Sequence, residues 1–447
     1  MTACREQLTF SFHPCKEVVA DFRGGHLTSD AGLLPVVDLD RRLGWTARVA
    51  EVVEDPRDPA KTEHTVLQFV RQRLFGLVAG YEDGNDHTRL RNDAMLKTAA
   101  GKPLQKPLAS QPTISRLENL ATARAVAEIN RLLAETFVQV QTLRGRRPAQ
   151  LVLDIDPTDD PCHGHQQLAL FNGFYGQYMY LPLLVYERES GMLVGVRLQS
   201  GTAPPAGRAV QLLKPLVRRL RAEWPEAEIV VRGDAAFGCP RMYRFCEAEG
   251  LGYIFGLKAT EPLQKRTDEA LARVRDRFSR TGTPQRHVAS FWHRAGSWTR
   301  SRRTLYKVEA HAQGTNRRFG ITNLPGPAAD LWPFYNDRGT AETFIDDLKN
   351  GLKMDRLSCE GFVANAFRLA LTAVAYNLLR VFRDALAGTA LEGASVETIR
   401  SRLLKVGARV HQTVRRIWVH LSSAFPLREV LAHATAVVQG LSPPALA

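Results

Sequence analysis

Three short segments carry acids at positions from which a folded chain could gather them. In Leu153-Asp154-Ile155-Asp156-Pro157-Thr158 the alternation is that of a strand. Side chains on a strand point to opposite faces in turn, so Asp154 and Asp156 share the face opposite Leu151, Leu153 and Ile155, and Pro157 ends the ladder. A run this apolar suits a central strand, where an unpaired carboxylate is costly, and this favours metal ligation over an edge strand with one wet face. The spacing leaves open which aspartate would ligate. In Ile229-Val230-Val231-Arg232-Gly233-Asp234-Ala235-Ala236-Phe237-Gly238 an apolar strand runs into a small-residue loop. Asp234 then stands at the carboxyl end of the strand, where α/β sheets keep their sites, although an aspartate there is also ordinary turn chemistry. In the third segment Tyr335, Arg338, Glu342 and Lys349 stand at i, i+3, i+7 and i+14. A helix would line them on one stripe, with Ala341, Phe344, Ile345, Leu348 and Leu352 on the adjoining buried one. A surface pair between Arg338 and Glu342 is the simpler alternative, and Gly339-Thr340 weakens the helix start.

Composition points to the partner such a site would meet. The 447 residues include 60 Lys and Arg against 46 Asp and Glu, a net charge of +14, which suits a polyanion, with nucleic acid the first candidate. With 44% hydrophobic and 24% charged residues the chain is globular and long enough for two or three domains. Cys4, Cys15, Cys162, Cys239, Cys246 and Cys359 form no Cys-x-x-Cys pair, which predicts free thiols in a reducing compartment and no structural zinc. Met1 to Phe12 lacks the apolar core of a secretory signal. The run Leu369 to Leu379, broken by Thr372, Tyr376 and Asn377, predicts a buried helix and not a membrane span.

The elements that must position the acids follow from periodicity. Apolar residues at three- and four-residue spacing predict helices between Ala47 and Leu143, and the polar start Ser110-Gln111-Pro112-Thr113 caps one that suits either a major groove or plain solvent. Leu151 to Asp156, Leu181 to Tyr186 and Met192 to Leu198 predict three strands, followed by a helix from Gly207 to Trp224, a strand at Ile229 to Val231, a helix from Pro240 to Glu249 and a strand at Tyr253 to Leu257. Three meandering strands and then strand-helix alternation give the order of the ribonuclease H-like fold: an α/β mixed sheet with flanking helices. A charged helix from Thr267 to Arg280 and alternating segments up to Asn323 predict a β-rich insertion. Helical pattern resumes from Gly339 through Phe382 and again from Ser395 to the end. The expected organisation is therefore a helical domain over 1–145, a core over 146–260 and 326–385 interrupted by the insertion at 261–325, and a helical region over 386–447.

The spacing Y-x-x-R-x-x-x-E-x-x-x-x-x-x-K, met in full by Tyr335, Arg338, Glu342 and Lys349, resembles the signature of DDE transposases of the insertion-sequence-four superfamily. Asp156-Pro157-Thr158 is similar to their first aspartate motif and Arg232-Gly233-Asp234 to their second. His163-Gly164-x-Gln166 with Gly173, Tyr180-Leu181-Pro182-Leu183 and Ile321-Thr322-Asn323-Leu324 resemble the group numbered thirteen-eighty. Asp159-Asp160 and the competing Asp154 depart from the pattern.

This resemblance implies a metal-dependent enzyme that cuts double-stranded DNA at transposon terminal inverted repeats and joins it to target DNA, by way of hairpin ends. Asp156, Asp234 and Glu342, with Asp154 as alternate, would hold two Mg²⁺ or Mn²⁺ ions roughly 3.5–4 Å apart. Tyr335, Arg338 and Lys349 would grip phosphates, and Trp292 or Trp298 would stack on a flipped base unless they are insertion core. Arg89, Arg91 and Arg116 in the first domain are further DNA-contact candidates. So are Arg415 and Arg416 in a basic amphipathic helix from Thr398 to Leu421, whose charged face could equally be mere solvent surface. A homo-oligomer on DNA in the bacterial cytoplasm, associated with the nucleoid and not with membrane, is the expected setting. A metal-dependent nuclease without strand transfer and a transposase-derived DNA-binding protein without catalysis are the competing readings.

Overall fold

Eight strands of one mixed sheet organise the middle of the chain. They are labelled in chain order β1 (Gln150–Pro157), β2 (Leu183–Glu187), β3 (Leu193–Arg197), β4 (Glu228–Gly233), β5 (Gly252–Leu257), β6 (Gln285–His293), β7 (Arg302–His311) and β8 (Gly314–Thr322). The computed structural model describes residues 7–441, which fall into two compact units: 121–380, holding this sheet, and a second made of residues up to Leu120 with those from Val381 on.

The order across the large sheet is β6-β7-β8-β5-β4-β1-β2-β3. β4 runs parallel to both β1 and β5, while β1-β2, β2-β3, β5-β8, β8-β7 and β7-β6 are antiparallel. Strands β1 to β5 thus form the ribonuclease H-like sheet, with the chain-order meander on one side of β1 and the parallel pair on the other. The expected insertion is not a body apart. After helices Glu261–Lys265 and Asp268–Thr281, β6 to β8 continue the same sheet, because the free edge of β5 accepts β8 over Ile254 to Leu257. Pairing that edge removes a row of unsatisfied backbone groups.

Helix Ala123–Leu143 packs on the sheet beside helix Pro205–Glu223, so it belongs to the unit of residues 121–380 and not to an N-terminal domain over 1–145. Asn130 accepts a hydrogen bond from the Val196 amide at 2.8 Å, and Glu135 pairs with Arg219. On the face carrying Val152, Val230, Ile254 and Leu305, helix Ala328–Asn336 buries Leu331 and Trp332. Even-numbered residues of β1 and β4 point to that face, so the helix comes down on the side where Asp154, Asp156 and Asp234 project. The pattern from Gly339 through Phe382 is not one helix. It breaks at Lys353, which is left-handed at φ 52°, and resumes at Phe362. Phe362–Asp384 is long and apolar enough to cross a membrane, but 89% of its apolar window is buried inside the protein. Its Asn377 satisfies both the amide and the carbonyl of Leu193 at 2.8 Å, which explains the polar interruption.

In the second unit, helices Leu34–Leu43, Trp45–Glu51, Val66–Ala79, Ala94–Ala100 and Gln111–Leu120 enclose Trp45, Phe69 and Phe75. The expected basic helix from Thr398 to Leu421 is instead a helical stretch ending at Leu404, followed by a hairpin of Ala408–Gln412 and Ile417–Leu421. Gly407 and the turn at Thr413 to Arg416 interrupt the helical period. The strand Ala408–Gln412 gains a second partner in His26–Thr28, contacts a helix could not make. Lys405 seals the junction with Asp30 at 2.6 Å and the Tyr81 hydroxyl at 2.9 Å. All five described cysteines are free; Cys4 lies outside the described residues.

Candidate active site

The parallel register of β1 and β4 sets Arg232 directly opposite Asp154. Both are fully buried, and the guanidinium donates from Nε and Nη2 to the two carboxylate oxygens at 2.6 and 2.7 Å. Its remaining nitrogen Nη1 donates to the Phe334 carbonyl at 2.5 Å and to Asp337 at 3.1 Å. Asp337 also takes a hydrogen bond from Arg188. Asp154 is thereby committed to a structural ion pair, and Arg232 ties the end of helix Ala328–Asn336 to the sheet.

Two residues further along each strand the same register brings Asp156 and Asp234 side by side, beyond the last paired rung. Asp234 turns its backbone into a small loop, with Oδ1 accepting from the Ala236 amide at 2.9 Å. The loop passes over β5 at Gly256, where a Cβ would stand 2.7 Å from the Tyr335 hydroxyl and 2.8 Å from the Ala235 nitrogen; only glycine lets these groups approach. The chain from Tyr335 to Lys349 is a helix end, a 3-10 turn over Asp337–Gly339, a helix over Thr340–Asp346 and a π turn over Asp347–Gly351. It carries Arg338 to 3.0 Å from Asp156 and leaves Glu342 exposed nearby. Burial pushes the Asp156 carboxyl up to about 6; Arg338 opposes the rise, and the charges of Asp234 and Glu342 add to it. Asp156, Asp234, Glu342 and Tyr335 all bear on the charge of Arg338. A cleft of about 340 Å³ opens beside them, lined by Arg317, Arg318, Tyr335, Arg338 and Glu342 among others.

Hard oxygen donors without sulfur or imidazole suit Mg²⁺ or Mn²⁺. Among the described residues no three acids, histidines or cysteines stand ready-made as a metal cage, and Arg338 supplies the positive charge between the carboxylates. Like-charged acids held close favour a cation or proton among them, so the donor set fits a divalent ion by its chemistry.

Lys349 leaves this group and pairs with Asp159 at 2.7 Å. Behind it Asp160 is fully buried, and neither carboxylate oxygen has a hydrogen-bond partner among the described residues. Burial, reinforced by Asp355 and Asp159 against Lys349 and Arg368, pushes Asp160 up to about 8. Between the ordinary value of 3.8 and about 8, folding takes up a proton, so stability falls as pH rises through that window. Asp160→Asn is therefore expected to raise the thermal midpoint at pH 8 by roughly 3–8 °C and to change it little near pH 4. Melting curves at the two pH values test this, and an equal gain at both would rule out ionisation as the cause.

The two tryptophans stand apart from the acids. Trp298 is buried edge-on against Tyr243 at 5.6 Å and against His293 at 5.4 Å, and is core. Trp292 is exposed on the outermost strand β6, five ladder steps from β1, about 24 Å at ~4.8 Å per step. Arg89, Arg91, Arg116, Arg415 and Arg416 belong to the other unit. There Arg89 and Arg116 are exposed on helices, and Arg415 and Arg416 form the exposed tip of the hairpin. The sequence had offered no reason to single out Arg188, Arg317 or Arg318. Cations scattered through strands and turns have no spacing that reveals a shared cleft.

No curated protein matches the sequence. Among solved structures the chain is similar to the piggyBac transposase synaptic complex with hairpin DNA, at 12% identity and a TM-score of 0.43, covering 94% of this chain and 86% of that one. It is also similar to the Mos1 transposase paired-end complex with left transposon end, at 14% identity and a TM-score of 0.17, covering 45% of this chain and 60% of that one. The model of the family described as transposase DDE domain group 1 matches residues 10–443, which spans both strand-end aspartates and the Glu342 helix, and the chain belongs to that family.

Proposed function

We propose that the protein is a cut-and-paste DNA transposase of the insertion-sequence-four superfamily, in the group numbered thirteen-eighty. It cleaves double-stranded DNA at terminal inverted repeats and transfers the freed ends to target DNA. What supports this reading is that Arg338 pairs with Asp156 at the carboxyl end of β1, and that Asp234, just past β4, and Glu342, on the helix that follows Arg338, stand near enough for their charges to bear on both. Asp156, Asp234 and Glu342 would hold the Mg²⁺ or Mn²⁺ ions that such cleavage uses. When bound, the cations neutralise charge on the attacking and leaving oxygens.

Around them the chain positions the DNA. Arg338 and Tyr335 would take a phosphate oxygen, while Arg317 and Arg318, which line the same cleft, draw the backbone in. Lys349, anchored by Asp159, holds the neighbouring strand. Water attacks phosphorus, the P–O3′ bond breaks, and the leaving oxygen is protonated to a 3′-hydroxyl. That hydroxyl then attacks the opposite strand, displacing its 5′ side to leave a hairpin end, which is reopened before joining. Two ends need two active sites, so the working form is a homo-oligomer on DNA, at the nucleoid of a bacterial cytoplasm.

The test uses a labelled duplex copying the inverted repeats that flank the coding region, with Mg²⁺. Hairpin and joined products support transposition; simple nicks identify a nuclease, and binding alone a non-catalytic derivative. With about six phosphates contacted, affinity is expected to fall about 10³-fold between 50 and 200 mM salt. Fluorescence anisotropy reads this, and a change below about threefold would contradict recognition of a polyanion.

A further inference from the structure

The motif His163-Gly164-x-Gln166 lies between β1 and β2, in a stretch to which the reaction above gives no task. Gln166 and the next residue, Gln167, both reach across to the chain that follows Lys349. Gln166 Nε2 donates to the Leu357 carbonyl, the Gln167 amide donates to the Glu360 carbonyl at 2.9 Å, and Gln167 Oε1 accepts from the Phe362 amide at 3.1 Å. The Tyr180 hydroxyl holds the Gln167 carbonyl at 2.7 Å, and its ring stands edge-on to Phe362 at 5.6 Å. From the other side Asn365 bonds the amide and the carbonyl of Cys359 at 2.9 and 2.8 Å, and Arg368 donates to Ser358 at 2.7 Å. Residues 357–361 belong to no helix or strand, so these side chains supply partners that their backbone groups would otherwise lack.

Backbone strain sits on both sides of this clamp. Among the described residues only two other than glycine are left-handed: Leu168, φ 63°, directly after Gln167, and Lys353, φ 52°, just past the π turn that carries Lys349. Such backbone persists where the surroundings over-determine it, and it gathers where a position must be exact. The group placed between the two strained residues is the Lys349 ammonium, 2.7 Å from Asp159 Oδ1. Gln177 Nε2 steadies the other oxygen of Asp159 at 3.5 Å. An ammonium has three donors and Asp159 takes one, while 18% of the lysine side chain stays exposed.

We propose that Gln166 and Gln167 are positioning residues that keep Lys349 aimed at a DNA phosphate. The inference rests on the DNA-cleavage reading above and adds to it two residues that act through Lys349 without touching DNA. A π turn is a rare and poorly favoured period. With the chain beyond it clamped, the turn over Asp347–Gly351 is held open; unclamped, it is free to tighten to the α period, which rotates Lys349 about the axis and off Asp159.

The test is a double-mutant cycle between the paired change Gln166→Met, Gln167→Met and Lys349→Ala. Gln166 Oε1 has no partner among the described residues, so methionine there gives up only the bond to Leu357. Affinity for a duplex copying the inverted repeat is read by fluorescence anisotropy over a range of salt, without divalent cation. Lys349→Ala is expected to weaken binding about three- to tenfold and to lower the slope of log affinity against log salt by about 0.9, one phosphate contact. The methionine variant is expected to reproduce most of both effects, and the triple variant to bind within about twofold of Lys349→Ala alone. Tyr180→Phe, which removes only the hydroxyl behind Gln167, is expected to shift affinity and slope in the same direction by less, and it serves if the methionine variant does not fold. Wild-type affinity and slope in the methionine variant, or in Tyr180→Phe where that variant alone folds, would reduce the clamp to a support of the fold and overturn the proposal. Losses that multiply in the triple variant would overturn it too, since the glutamines would then act apart from Lys349. Unchanged binding by Lys349→Ala would overturn it while leaving the rest of the DNA reading in place, whereas a wild-type protein that binds no duplex would overturn that reading itself.

Discussion

Asp234→Asn lowers strand cleavage by about 10³-fold or more and leaves duplex affinity within about twofold, as do Asp156→Ala and Glu342→Ala. This outcome is expected because the three acids are the proposed ligands, and Asp234 and Glu342 make few structural contacts. Asp234 spends a single oxygen on its own turn at Ala236, and Glu342 is exposed. Removing a carboxylate would take away a proposed hard ligand while every arginine proposed to meet the DNA backbone stays in the chain. Asp154→Asn separates the two readings of the first motif: its carboxylate already holds Arg232, so the loss should appear in folding before chemistry. The measurement is single-turnover cleavage beside anisotropy on the same duplex. Cleavage surviving in any of the three variants, or lost together with binding, would remove that residue from the catalytic set.

Arg232→Met is expected to cost about 3–5 kcal/mol of stability in urea denaturation, the scale for removing one partner of a buried ion pair. Asp154 is buried with the guanidinium as its charge partner, and the Phe334 carbonyl loses its donor. The double variant Asp154→Asn, Arg232→Met should recover a good part of this, because the stranded charge is gone. Cleavage should remain impaired in the double variant, since the helix leading to Arg338 and Glu342 has lost its tether to β4. Full recovery of cleavage along with stability would show that the tether has no part in placing Glu342.

Apart from the small sheet of Asp160–Pro161, Leu170–Asn172 and Gln177–Tyr180, whose short strands carry no clear alternation, the strands and helices from Leu151 to Leu257 were readable from the sequence because each is a short apolar run or a clean 3.6-residue period bounded by turn residues. The same alternation put Asp154 and Asp156 on one face. It could not separate them, since what distinguishes them is the rung opposite: Arg232 faces Asp154, whereas Asp156 lies past the ladder. The helical stripe from Tyr335 to Lys349 was readable in outline, but the tightening at Asp337–Gly339 and the widening at Asp347–Gly351 were not. These depend on packing over the sheet, and they send Lys349 to Asp159 and away from Glu342. The hairpin at Ala408–Leu421 was misread as helix for a related reason. Valines and arginines fit either period, and the deciding contact is with His26–Thr28 at the far end of the chain.

That last pairing has a temporal side. Asp30 and Lys405, 375 residues apart, close on each other, so the first segments to leave the ribosome wait for nearly the last. At 5–20 residues per second the delay is on the order of 20–75 s, during which the unit of residues 121–380 can fold undisturbed within the interval. A message truncated before Lys405 therefore yields the unit of residues 121–380 together with a companion unit that lacks two strands of its three-stranded sheet and its lysine clasp.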